Sequence, residues 1–187
     1  MRIISGILKG KSINFLRNSI TRPLKDSVKE NIFNIIEHTN LFKIKIKDSN
    51  VLDLYSGIGS FGLECISRGA NQVKFIEKNK DSSFILERNI NYLSIMSHST
   101  IVNENVESFL KKEKKNKYNI IFMDPPFADK LFLNNFEFIK KNKIYKKNHI
   151  IIVHRERRTD DNLEDYISVL LVKKYGRSKV IFGVLDK

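Results

Sequence analysis

Two short stretches hold residue types whose spacing can do chemistry. The first is Asp53-Leu54-Tyr55-Ser56-Gly57-Ile58-Gly59-Ser60-Phe61-Gly62. Glycines in a strand-to-helix turn let a ligand approach the backbone, and the helix that follows presents free N–H groups. Gly57, Gly59 and Gly62 spell G-x-G-x-x-G, the spacing of a dinucleotide loop. Glu77 follows Gly57 by 20 residues, where a carboxylate can accept hydrogen bonds from both ribose hydroxyls. These residues predict a nucleoside pocket for NAD or S-adenosylmethionine (SAM). Asp53 favours SAM. A carboxylate at that strand end suits the ammonium of a methionine moiety and sits badly beside a pyrophosphate.

The second stretch is Asp124-Pro125-Pro126-Phe127. An exocyclic amine on a base is a poor nucleophile, because its lone pair is delocalised into the ring. Acceptors aimed at both of its N–H groups pull the nitrogen toward sp³ and direct the lone pair at an incoming methyl. The Asp124 carboxylate and the Pro125 carbonyl can be those acceptors. Pro125 and Pro126 stiffen the turn and have no N–H to occupy a carbonyl. Phe127 offers a ring for a planar group to stack on.

The surrounding pattern must bring these stretches together. Short apolar runs predict strands at Val51–Tyr55, Val73–Glu77, Thr100–Val102, Tyr118–Met123 and Ile150–Val153. Helical spacing predicts helices at Phe61–Arg68, Lys80–Leu93, Val106–Leu110 and Lys130–Lys141, the second turning Phe84, Ile85, Ile90 and Leu93 inward. Ser168–Lys174 and Lys179–Leu185 read as a closing hairpin around Tyr175-Gly176-Arg177-Ser178. Repeated strand–helix units give an α/β fold with a mostly parallel sheet covered on both faces, and ligands bind at the carboxyl ends of its strands. Residues 41–187 form this domain, and 1–40 form an extension. In the extension a short β-hairpin around Lys9-Gly10-Lys11 precedes a break at Arg22-Pro23 and a helix from Asp26.

The composition sets limits. The chain has 187 residues, 34 Lys+Arg against 21 Asp+Glu, and a net charge of +13, which favours a polyanionic partner. A hydrophobic fraction of 41% fills a core. No apolar run reaches the roughly 20 residues of a membrane span, and the first 20 residues lack a signal-peptide core. We expect a cytoplasmic protein with no membrane association. The single cysteine, Cys65, reads as a small buried apolar residue, and four scattered histidines show no metal-ligand spacing, so no metal is expected. Asn103 and Asn105 follow the third strand and can border an adenine. Lys111–Lys117 and His154-Arg155-Glu156-Arg157-Arg158 read as solvated basic loops.

Together these residues resemble the bacterial 16S rRNA (guanine-N2)-methyltransferase family often called RsmD. The glycine loop and Asp124-Pro125-Pro126-Phe127 are shared with many class I amino-methyltransferases. The family-specific resemblance lies in Met1-Arg2-Ile3-Ile4-Ser5-Gly6, Lys9-Gly10, Thr21-Arg22-Pro23, and Asp26 through Phe33-Asn34-Ile35-Ile36. It implies a Rossmann-like class I methyltransferase fold: a seven-stranded, mostly parallel sheet with a terminal antiparallel hairpin, plus the small N-terminal hairpin and helix. It implies SAM as methyl donor and a guanine of 16S rRNA as acceptor, within the small subunit or an assembly intermediate. Asp53, Ser56, Gly57 and Gly59 would hold the methionine end, Glu77 the ribose, and Asn105-Val106 the adenine. Asp124 to Phe127 would hold the guanine amine, with Lys9, Lys11 and Arg22 on the RNA side. The segment near His154 departs from the family pattern, where an acidic residue is expected.

Other readings predict different features. An adenine-N6 DNA methyltransferase shares the Asp-Pro-Pro-Phe chemistry but needs a target-recognition segment. A protein-glutamine methyltransferase more often carries Asn at position 124. An NAD enzyme needs neither Asp53 nor the Pro-Pro turn, and a SAM-binding assembly factor would keep the pocket without catalysis. At this length no separate RNA-binding domain is expected, and a monomer is.

Overall fold

In the computed structural model, the described residues are 1–15 and 24–185. Arg22 lies outside them. Seven strands form one sheet: β1 Asn50–Leu54, β2 Gln72–Ile76, β3 Ser99–Val102, β4 Tyr118–Met123, β5 Tyr145–Glu156, β6 Ser168–Tyr175 and β7 Ser178–Val184. Their order is β3-β2-β1-β4-β5-β7-β6. β1 to β5 pair in parallel, while β7 joins β5 and β6 antiparallel.

Alternation along the central strands assigns the two faces. Val51, Phe75, Ile120, Phe122, Ile150 and Ile152 pack in one cluster with α1 (Asp26–His38), α2 (Ser60–Ser67) and α3 (Lys80–Leu93). Leu52, Leu54, Ile121, Met123, Ile151 and Val153 pack in the other with α4 (Val106–Lys112) and α5 (Asn134–Lys141). Strands buried on both faces read as near-continuous apolar runs, which is why they stood out in the sequence. On the first face an aromatic row, Phe33 on Phe61 at 5.2 Å and Phe61 on Phe122 at 4.0 Å, locks α1 through α2 to the sheet.

The structure corrects two expectations. In α3 the buried side is Leu86, Asn89, Ile90 and Leu93, and Phe84 is 58% exposed. The buried stripe includes a polar residue, Asn89, because its amide binds Asn14 of the N-terminal segment: Oδ1 accepts the Asn14 N–H at 2.8 Å, and Nδ2 donates to the Asn14 carbonyl at 3.1 Å. The fifth strand does not end at Val153 but runs on to Glu156, because antiparallel β7 pairs with it from Ile151 to Glu156. His154 and Arg155 are therefore strand residues, not loop residues. The N-terminal hairpin forms as expected, around an antiparallel Arg2–Ser12 bridge, with Ile3 N–H donating to the Lys11 carbonyl at 2.9 Å and Ile13 N–H to the Met1 carbonyl at 3.0 Å.

The hairpin is pinned to α2. The fully buried Glu64 accepts N–H bonds from Ile4 at 2.8 Å and Ser5 at 2.9 Å, and Ile7 N–H donates to the Ser67 carbonyl at 2.8 Å. Gly6, at φ +83°, presses against Ser67 so closely that a Cβ would lie 1.9 Å from its carbonyl oxygen.

Candidate functional site

β1 lies between β2 and β4, and the two chemistry-bearing loops leave the carboxyl ends of β1 and β4 side by side. Leu54 pairs with Met123, so each loop begins at the same level of the sheet. This is the crevice where open α/β sheets bind ligands.

The glycine loop is built from positive-φ residues. Tyr55 (+62°), Gly57 (+55°) and Gly59 (+85°) turn the chain from β1 into α2. The two glycines serve different needs. A Cβ at Gly59 would lie 2.4 Å from Leu86 Cδ1, so Gly59 is required by packing against α3. A Cβ at Gly57 would meet nothing within 4 Å, so Gly57 borders open space. Gly62 is held against the Phe75 ring, where a Cβ would lie 2.3 Å from Cε1. Ser56 anchors the turn, its Oγ donating to the Ile76 carbonyl at 3.2 Å.

The acidic residues surround this loop. Asp53 is buried, and its Oδ2 accepts the Gly62 N–H at 3.0 Å, capping the first turn of α2. Burial pushes the Asp53 carboxyl well above the usual range; the Gly62 bond opposes this, and the charges of Asp124 and Glu77 add to it. Glu77 stands just past β2, with Oε2 accepting the Gly57 N–H at 2.7 Å and Oε1 the Asn79 N–H at 2.7 Å. Asn103 donates to the Glu77 carbonyl at 2.7 Å. Asn105 is the N-cap of α4, accepting from Glu107 N–H at 2.8 Å, and Val106 is buried beside it.

The Asp124–Phe127 loop is gripped from both sides of β5. Consecutive strand residues point to opposite faces. His154 Nδ1 lies 2.8 Å from Asp124 Oδ1, and the His154 ring meets the Phe127 ring edge-on at 5.9 Å. On the other side, the fully buried Arg155 sends Nη1 to the Pro126 carbonyl at 2.9 Å and Nη2 to the Phe127 carbonyl at 3.0 Å. Longer contacts reach the carbonyls of Pro125 at 3.4 Å and Asp129 at 3.3 Å. Arg155 is balanced by the two oxygens of Asp161, each at 3.0 Å, and stacks over Phe132 at 4.4 Å. The expected solvated segment is therefore the support of the loop. The sequence signal was present in Asp161, six residues on, but its pairing depends on the turn of chain after β5. A further brace ties the first loop to α5, since Asn135 donates to the Tyr55 hydroxyl at 2.7 Å.

Phe127 remains 41% exposed and Pro125 is buried. Lys9 and Lys11 are exposed on the hairpin, whose tip meets Ser67 at the end of α2 away from Gly59. Cys65 is buried in α2, and burial raises its thiol well above the usual range, as befits an apolar core residue. Among the described residues no cluster of metal-ligating side chains occurs, and no helix is long and apolar enough to cross a membrane.

The sheet order, the loop after β1 and the antiparallel β7 define a Rossmann-like class I methyltransferase fold. The solved structure of yhhF from Escherichia coli superposes with a TM-score of 0.84 at 28% identity, over 100% of this chain and 98% of its own. The family described as conserved hypothetical protein 95, the RsmD family, matches residues 1–184, and the chain belongs to it. A relative from Buchnera aphidicola subsp. Acyrthosiphon pisum, named ribosomal RNA small subunit methyltransferase D, is 33% identical over 83% of this chain and 78% of its own. The protein of that name from Haemophilus influenzae is 31% identical over 84% and 79%. A more distant structure, at 17% identity and a TM-score of 0.67 over 83% of this chain and 49% of its own, was solved complexed with SAH and shares the fold.

Proposed function

We propose that this protein methylates the exocyclic N2 amine of a guanine in 16S rRNA of the small subunit, with SAM as donor. The observation that carries this reading is the Asp124-Pro125-Pro126-Phe127 loop, braced beside a glycine loop ringed by three carboxylates. The rRNA substrate comes from the named relatives and the net charge of +13.

The residues fit SAM. Glu77 and Asp124 give the crevice a negative field that suits a cation bearing both an ammonium and a sulfonium, and Asp53 joins them when a bound ammonium favours its ionised form. The buried Ser60 hydroxyl, at the first residue of α2, has no partner among the described residues, and Gly57 leaves its side-chain position open. Asp53 and the turn from Ser56 to Gly59 would hold the methionine end, Glu77 the ribose, and Asn105-Val106 the adenine. When bound, SAM supplies an electrophilic methyl group.

The chain itself holds the acceptor. The Asp124 carboxylate and the Pro125 carbonyl accept the two amine N–H bonds, which directs the nitrogen lone pair toward the donor. Phe127 stacks on the base, which must leave its own stack at a cost of a few kcal/mol. Positive charge develops on the amine in the transition state, and Asp124 stabilises it there more than in the ground state. His154 fixes one oxygen of Asp124, leaving the other for the amine.

The test is transfer of labelled methyl from SAM to unmodified small subunits, protein-free 16S rRNA and duplex DNA. Label in the RNA of subunits supports the proposal. Label on N6 of adenine in DNA would overturn the substrate and keep the loop chemistry.

A further inference from the structure

A cleft of about 520 Å³ opens at the pole of the sheet opposite the two loops. Its walls come from the chain entering β1 and from the starts of β4 and β5, at Ser49, Asn119 and Lys146. Asn119 and Asp124 lie five residues apart along and just past β4, which places the cleft roughly 16 Å from the candidate reaction loop at ~3.3 Å per residue.

The segment before β1 lines this cleft with strict alternation. Phe42, Ile44 and Ile46 are buried, and Lys43, Lys45 and Lys47 between them are exposed. Phe42 stacks on Phe182 at 5.7 Å, so the row of lysines is carried by a segment anchored in the core. Lys146, at the start of β5, lines the same cleft. These four side chains form no ion pair among the described residues.

Two neutral polar side chains of the lining, Asn119 and Ser49, already have partners. Asn119 Oδ1 accepts the Asn50 N–H at 3.0 Å, Asn119 Nδ2 donates to the Asn148 carbonyl at 3.3 Å, and Ser49 Oγ donates to the Ile46 carbonyl at 2.6 Å. The lysine ammonium groups are thus the charged donors left for a ligand, with the exposed Asn148 beside them. Asp48 is the one carboxylate in the lining, against four lysines. Lys47 also adjoins Gly69 at the end of α2, where the hairpin tip bearing the exposed Lys9 docks on Ser67. The basic surface therefore continues from the cleft toward the N-terminal hairpin.

We propose that this lysine-lined cleft binds the phosphodiester backbone of RNA, as a second contact remote from the site of chemistry. Spaced like charges without internal partners match a polyanion, and each neutralised phosphate releases counterions. A lipid surface would require a cluster of exposed apolar anchors, but the apolar residues lining the cleft, Phe42 and Ile44, are buried, and among the described residues Leu41 is the one exposed apolar side chain beside them. The inference rests on the RNA reading above and adds where a large substrate is gripped. A contact made equally in ground and transition states lowers KM and leaves kcat unchanged.

The experiment compares wild type, Lys45→Ala/Lys146→Ala and Lys173→Ala/Lys174→Ala, the last pair exposed on β6 and equal in charge lost. Binding to protein-free 16S rRNA is measured across a salt series, and methyl transfer is measured on the same RNA and on small subunits. The cleft variant should lower the slope of log affinity against log salt by about one per phosphate contact removed, and raise KM with kcat kept. The β6 variant should keep the wild-type slope. Equal slopes in all three proteins, or equal losses in both variants, would overturn the cleft assignment. A cleft-dependent slope without any rRNA methylation would instead overturn the substrate reading and leave the cleft in place. Unchanged RNA binding with lost binding to polyglutamate would overturn the assignment in favour of an acidic protein partner.

Discussion

Arg155 and Asp161 form a buried two-bonded ion pair, with Nε and Nη2 each 3.0 Å from a carboxylate oxygen. The same guanidinium holds the carbonyls of Pro126 and Phe127, so the shape of the acceptor loop depends on a charge pair supplied by β5 and the turn after it. Planar bidentate geometry is what arginine provides and lysine does not.

Asp161→Ala leaves Arg155 buried without its counter-charge, which costs about 3–5 kcal/mol when such a pair is broken. Arg155→Lys should keep the charge but lose the fork that grips the loop. It should lower kcat at least tenfold while SAM affinity stays near wild type, read by single-turnover kinetics and calorimetry. Burial alone would raise the Asp161 carboxyl, but its bonds to Arg155 and Thr159 and the charges of Arg155 and Lys179 lower it below the usual range. A carboxyl depressed in the folded state adds stability above its unfolded pKa, and that stability fades as pH falls toward the folded value. Acid unfolding of Asp161→Asn should lack this contribution, which chemical denaturation below pH 4 will read.

Asp124→Ala should abolish most methyl transfer and leave SAM binding largely intact. Loss of one charge-stabilising acceptor typically costs 10²–10³-fold in kcat, about 2.7–4 kcal/mol. His154→Ala should give a smaller loss, because it frees Asp124 to rotate without removing the carboxylate. If His154→Ala loses as much as Asp124→Ala, with both variants folded, His154 itself meets the substrate.

The two open-loop glycines should separate stability from binding. Gly59→Ala forces a Cβ to within 2.4 Å of Leu86 Cδ1 at a φ of +85°, and should destabilise by ~1–3 kcal/mol or more. Gly57→Ala meets no atom within 4 Å, and should cost only ~1–2 kcal/mol for its left-handed backbone. Its effect should fall on SAM affinity. Thermal melts with and without SAM distinguish the two.

SAM binding should strengthen as pH rises through the raised pKa of Asp53. Burial disfavours the ionised carboxylate in the free protein, and a bound ammonium favours it, so binding releases a proton. Calorimetry in buffers of different ionisation heat will detect that proton, and Asp53→Asn should remove it.

The crevice was legible from sequence because its parts carry local signals. Gly57, Gly59, Glu77 and the Pro-Pro turn each announce a backbone or charge requirement within a few residues. Arg155 was not legible for the opposite reason. Its burial follows from the pairing of β5 with β7, which extends the strand past Val153, and from Asp161 folding back beneath it. A run of Arg and Glu reads as solvated until such pairing is known. Asn89 and Glu64 escaped similarly, since their partners, Asn14, Ile4 and Ser5, are backbone groups some 60 to 75 residues away in sequence. Helical spacing alone turns Phe84 inward, whereas the buried stripe of α3 runs through Leu86, Asn89, Ile90 and Leu93 and leaves Phe84 outside.

The most direct measurement is nucleoside analysis of 16S rRNA from unmodified small subunits after reaction with SAM and either wild type or Asp124→Ala. The account predicts N2-methylguanosine with wild type and a loss of at least a hundredfold in its rate of formation with Asp124→Ala. Methyl on any other nucleoside, or N2-methylguanosine formed at the same rate by both proteins, would contradict it.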